Sequence, residues 1–227
     1  MFTYRIILLL SLMLIISLVD LYRNGARATR FREYGFILIT GAMGGGVGLV
    51  NDLITSSISP DYFILGKGLQ ETPDLRMQAG LFGLRVGFSA GVIGGALCLY
   101  ASRRKSPHPP LQFFPLFQAL WMPVLGAILC AILLPLALSR FDPARLSVQL
   151  DTMISAEKIA RFRQVWWAHV GLYAGLVIGL ALMIFHAVKE RRSIGSDRLG
   201  QYGNRGHFTG GGAQEPRQPD AGQNTPQ

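Results

Sequence analysis

Four residues in the apolar part of the chain carry groups that can bind ligands or exchange protons: Asn51, Asp52, Arg85 and His169. Asp52 and His169 are a candidate acid and base, Arg85 is a fixed cation, and Asn51 is an amide able to orient a neighbour. The stretch that holds the first two, "NDLITSSISPDYFILGK", adds Thr55, Asp61, Tyr62, Phe63 and Lys67. Asp52, His169 and Tyr62 could in principle serve as general acid or base. No nucleotide-binding loop, zinc motif or nucleophile–base spacing accompanies them. A haem held between His169 and His186 is disfavoured, because the two lie about 25 Å apart along one helix. No metal or cofactor is expected.

The surrounding chain decides what these residues face. Half of the 227 residues are hydrophobic and only 15% are charged, which is too apolar for an ordinary soluble domain. The formal charge is +9, and the cations are clustered. Arg23, Arg27, Arg30 and Arg32 form one cluster, Arg103, Arg104 and Lys105 a second, Lys189, Arg191 and Arg192 a third. Each follows an oily run, so the clusters read as topology signals rather than a nucleic-acid surface. Cys98 and Cys130 fall inside oily runs and read as small buried hydrophobes.

A span needs ~20 mostly apolar residues. Five segments qualify: 4–22, 35–56, 78–101, 112–138 and 165–188. The expected fold class is therefore all-α, an integral membrane bundle of about five helices over 1–195. A disordered cytoplasmic tail, 196–227, follows and contains His207, to which no role is assigned. The first segment could be a signal peptide, but no small-residue cleavage site follows it, and an uncleaved helix is preferred. The positive-inside rule places 23–33, 103–110 and the segment after Val188 in the cytoplasm, with 57–77 and 139–164 outside. This is the pattern of a multi-pass protein of the cell membrane.

Packing signals are present in three spans. Gly83, Gly87, Gly91 and Gly95 repeat every four residues, as do Gly171, Gly175 and Gly179, and Gly41 and Gly45 with Gly44 and Gly48. Such stripes permit close approach of helices where lipid removes the hydrophobic drive. Spans two, three and five are expected to form the tight centre. Pro123 is expected to kink span four. The expected partners are the lipid bilayer and a second copy or another membrane protein, with no nucleic acid.

At the outer level, Ser59-Pro60-Asp61 reads as a helix start, with Ser59 as cap. Tyr62–Leu65 then form a short interfacial helix with Tyr62 at headgroup depth, ended by Gly66 and Gly68. An ionisable residue inside a span is a candidate functional site. For Arg85 three readings stand: it snorkels to headgroups, forms an ion pair with Asp52, or joins a ligand site. The arrangement expected is an Asp52–Arg85 pair beneath a 60–66 lid, with His169 completing the polar layer.

"NDLITSSISPDYFILGKGL" is similar to the signature of a group of bacterial multi-span membrane proteins: Asn-Asp or His-Asp, then Ile/Val-Thr, an acid-Tyr-Phe, and a Gly or Lys. "WWAHVGLYAGLVIG" resembles that group's last span and "LRVGFSAGVIGGAL" its middle span. Leu53 stands where an amide is frequent, and Asp61 where Glu is frequent. The resemblance implies a shared outer-face site of Asn51, Asp52, Thr55, Asp61, Tyr62, Phe63, Lys67, Arg85, His169 and Tyr173, without an activity. The leading expectation is a non-enzymatic membrane protein, a small-solute or ion-binding module or an accessory subunit with an outward polar pocket. A membrane-embedded enzyme acting on a lipid-linked substrate is the alternative, and a transporter, if oligomeric, the third.

Overall fold

The computed structural model describes residues 2–25, 28–103, 113–138, 140–141 and 150–206. The chain is helical and no strand occurs among the described residues. The elements are α1 (Phe2–Asn24), α2 (Arg30–Ile58), a π-helical turn (Tyr62–Gly66), α3 (Leu75–Arg103), α4 (Phe113–Ala119), α5 (Trp121–Leu138) and α6 (Ala156–Gly206). Four stretches are long and apolar enough to cross a membrane: Arg30–Ile58, Leu75–Ser102, Phe114–Leu138 and Ala156–Lys189. Large apolar side chains on their flanks are exposed, among them Ile93, Leu129, Leu133, Val177 and Phe185. Exposed apolar side chains along four such helices are compatible with a multi-pass membrane protein.

The helices pair as two hairpins. In α2 and α3 the glycine stripes face each other: a Cβ on Gly48 would strike the Gly83 carbonyl, one on Gly44 the Gly87 carbonyl, and one on Gly91 the Thr40 carbonyl. The same device joins α5 and α6, where Gly126 lies against Gly175, Gly171 against Cys130, and Gly179 against Met122 and Pro123. The expected centre of spans two, three and five is thus replaced by two glycine-backed pairs, with span five bound to span four. The missed signal is a small-residue face on α5 formed by Pro123, Gly126, Ala127 and Cys130.

Ordinary side-chain cores sit towards the two ends of the bundle. One contains Phe36, Cys98, Leu116, Leu120 and Met183; the other contains Tyr62, Phe63, Ile159, Phe162 and Val165. The middle is held by close backbone contact, as expected where apolar burial brings little gain over lipid.

Near Pro123, where a kink is expected, the helix is interrupted at a single residue, Leu120, between α4 and α5. Proline 123 has no N–H to give the Ala119 carbonyl, and its ring crowds that carbonyl. The Leu120 N–H turns instead to Phe117 O at 3.2 Å.

Asp20, near the end of α1, explains how the first helix joins the second. Its Oδ2 accepts the N–H groups of Thr29 and Arg30, each at 2.9 Å, and so caps α2. Helix α6 continues past Ser196, where the tail is expected to begin, to Gly206. An α-helix satisfies its backbone locally and can extend without a core. Arg27, Arg104, Lys105 and 207–227, including His207, lie outside the described residues.

Candidate functional site

Asp52 lies on the face of α2 that meets α3. Its carboxylate occupies space left by Gly83, where an added Cβ would come within 2.8 Å of Oδ2. The other oxygen, Oδ1, meets His169 Nε2 at 3.0 Å, and both side chains are buried. Asn51 Nδ2 donates to the same Oδ1 at 3.0 Å. The second imidazole nitrogen, Nδ1, lies 2.9 Å from the Val165 carbonyl one turn back in α6.

This geometry fixes the proton inventory. A carbonyl can only accept, so Nδ1 carries a hydrogen. A short Nε2···Oδ1 contact then requires a second proton between the two groups. It resides on the imidazole, giving an ion pair, or on the carboxyl, giving a neutral pair. Either way the pair has no net charge and shares one proton. A lone buried charge would be far more costly.

Residues of the connection cover this pair. The Tyr62 ring stacks on the His169 ring with centroids 4.7 Å apart, and Phe63 meets it edge-on at 5.8 Å. Tyr62 also touches Phe162 and Trp166. Lys67 Nζ stands 5.6 Å from the Tyr62 ring centre and 5.2 Å from that of Phe82, within cation–π range. Burial pushes the Lys67 ammonium below its ordinary pKa, opposed by the nearby Asp52 carboxylate. Burial pushes the Tyr62 hydroxyl well above its ordinary value, and Tyr173 and Asp52 act in the same direction.

Local sequence accounts for the fold of this cover. Ser59 ends α2, its N–H bonded to Thr55 O and its carbonyl accepting the Tyr62 N–H. One wide turn then carries the aromatic pair inward, and Gly68 stops it at φ +69°, a conformation that suits glycine. Asp61 is bridged to Lys158 at the start of α6, at 3.3 Å.

Three expectations need correction here. Arg85 does not take the place beside Asp52, because position 83 is the one that backs onto Asp52 and position 85 lies ~200° further round the helix. Arg85 is exposed instead. Tyr62 does not present an exposed ring but is buried at 5% exposure, since the π-turn rotates both aromatics onto His169. Ser59 does not cap the next helix: its hydroxyl is buried and without a hydrogen-bond partner among the described residues. The Ser59 backbone carbonyl, not its hydroxyl, accepts the Tyr62 N–H.

Of the remaining expected residues, Thr55 donates its hydroxyl to Asn51 O at 2.7 Å and stiffens the turn that carries Asp52. Tyr173 lines a cavity of about 50 Å³ beside Asp52, between the two hairpins. That volume suits a water molecule or a small ion. A much larger cavity of about 560 Å³ lies between α2, α5 and α6, and Asn51 borders it. Sequence reading missed this cavity, Gln164 at its rim, and the role of Phe82 beneath Lys67. Among the described residues no group of His, Cys, Asp or Glu could hold a metal ion.

No protein-family model matches the chain, and neither a curated protein nor a solved structure does. Fold and site together define an all-helical protein with four helices able to cross a membrane and a covered Asp–His pair at one end of the bundle.

Proposed function

We propose that the protein is a multi-pass membrane protein of five spans, counting α1, that works as a non-enzymatic binding or accessory subunit. Its site is an outward-facing polar pocket that takes a proton or a small ion. The observation that supports this reading is the buried 3.0 Å Asp52–His169 contact beside a cavity of about 50 Å³. The basic clusters at the opposite end of the helices favour an outward position for this pair. A cavity of that size leaves no room for a larger solute at the carboxylate.

A test uses ¹⁵N-histidine NMR of the protein in proteoliposomes. The His169 ring signals should respond when the outer pH is stepped between 5 and 9, and not when only the lumenal pH is changed. A signal indifferent to both would reduce the pair to a sealed structural contact.

One observation favours a second reading, a membrane-embedded enzyme acting on a lipid-linked substrate. Asn51 both borders the large cavity and bonds Asp52, so a substrate chain there would end beside an acid–base pair. The aromatic cover over His169 would then have to open for turnover.

A further inference from the structure

The cavity between α2, α5 and α6 has the shape and polarity of a lipid-chain site. It measures about 560 Å³, within the ordinary range for ligand pockets. Its polar side chains, Asn51, Thr55 and Gln164, belong to the half nearer the aromatic cover, and its inner half is bounded by Gly46, Ile128 and Leu172. The wall contributed by α2 runs from Gly46 to Ile58, roughly 18 Å at the helical rise. One leaflet of hydrocarbon is about 15 Å deep. The cavity also opens sideways, since Val50 and Leu136 on its rim are 55% and 72% exposed.

We propose that this cleft binds one acyl chain of a membrane glycerolipid, with the ester region held by Asn51 and Gln164. The two amides can donate to ester carbonyls, and Gly46 and the aliphatic residues below leave an apolar slot one leaflet deep. A second protein helix would need close backbone approach on the pattern of the two hairpins, and the isoleucine, valine and leucine side chains of this cleft do not offer it. The Asn51 amide gives one N–H to Asp52 Oδ1 and keeps a second for an ester carbonyl, so one side chain would link an occupied cleft to the Asp52–His169 pair. The assignment rests on the membrane reading of the four helices and not on proton exchange by His169.

Gly46 supplies a clean test, because a Cβ added there meets nothing within 4 Å. The full chain is reconstituted with phosphatidylglycerol bearing a photoreactive diazirine on one acyl chain, and labelled peptides are mapped. Labelling should concentrate on the α2, α5 and α6 residues of the cleft. Gly46→Phe should reduce it at least fivefold with an unchanged melting temperature, while Gly46→Ala leaves it intact. Gln164→Leu, a change at an exposed residue, should reduce it severalfold without affecting folding. Labelling spread evenly over the lipid-facing helices would overturn the proposal, as would insensitivity to Gly46→Phe. A shift from dimer to monomer in Gly46→Phe would assign the cleft to a second copy instead. Preferential labelling by free diazirine-palmitate in competition with the phospholipid would reject a glycerolipid. The His169 titration reads a different group, so either result can fail alone.

Discussion

Gly83 of α3 stands so close to Asp52 of α2 that a methyl group on it would come within 2.8 Å of Oδ2 and strike the Gly48 carbonyl as well. The missing side chain thus serves two ends, helix contact and room for a buried carboxylate. Gly83→Ala should therefore separate the hairpin and displace Asp52 from His169. The expected cost is about 1–3 kcal/mol, the range for overpacking a tight interface. Gly46→Ala, in open space on the same hairpin, should be neutral or slightly stabilising. Thermal unfolding in detergent compares the two, and equal melting temperatures would show that the α2–α3 contact can give way freely.

A double-mutant cycle tests the pair itself. Asp52→Ala and His169→Leu each leave a buried polar partner without its hydrogen bond, and each should cost about 2 kcal/mol or more. The double variant should cost less than the sum of the two, by about 1 kcal/mol or more. Arg85→Met should show no coupling to Asp52→Ala, since Arg85 is exposed and lies ~200° round α3 from the position that backs onto Asp52. Coupling of Asp52 to Arg85 with none to His169 would reverse this assignment.

The contrast between these residues shows what the sequence could convey. The apolar runs, the glycine stripes and the polar level of Asn51, Asp52 and His169 are periodic or local features, and periodicity survives in one dimension. Pairing is different. Choosing between Arg85 and His169 as the partner of Asp52 requires the rotation of α3 about its axis, which Gly83 sets through contact with Gly48. The wide turn at Tyr62–Gly66 was equally hidden, because an ordinary helical turn with the same residues would leave Tyr62 on the surface. The large cavity belongs to three helices at once and leaves no mark on any one of them.

The buried phenol of Tyr62 predicts a pH effect of definite sign. In the unfolded chain this hydroxyl ionises near 10, whereas in the folded protein burial keeps it protonated to higher pH. Its contribution to stability is complete below about pH 10 and is lost as the pH rises beyond, because the unfolded state then releases a proton that the folded state retains. Wild-type protein should lose about 1 kcal/mol per pH unit more than Tyr62→Phe above pH 10. The phenylalanine keeps the ring over His169, so the difference isolates the hydroxyl. Parallel stability curves for the two proteins would mean that Tyr62 reaches water.

Orientation is tested by labelling at the two ends of α2. The helix has 29 residues, roughly 44 Å at the helical rise, so both ends clear a hydrocarbon core of about 30 Å. Thr29 lies at the end that carries Arg30 and Arg32, and Glu71 lies in the connection beside the aromatic cover. Both are exposed, and neither contributes its side chain to the Asp52–His169 pair. With Cys98 and Cys130 replaced by alanine, a membrane-impermeant maleimide added to intact cells should modify Glu71→Cys, while Thr29→Cys should react only after the membrane is opened. The arginines drive this result, because cations beside a span are retained on the cytoplasmic side. The reverse pattern would place the Asp52–His169 pair on the cytoplasmic side and would end the reading of an outward pocket, leaving the cleft to a lipid of the inner leaflet.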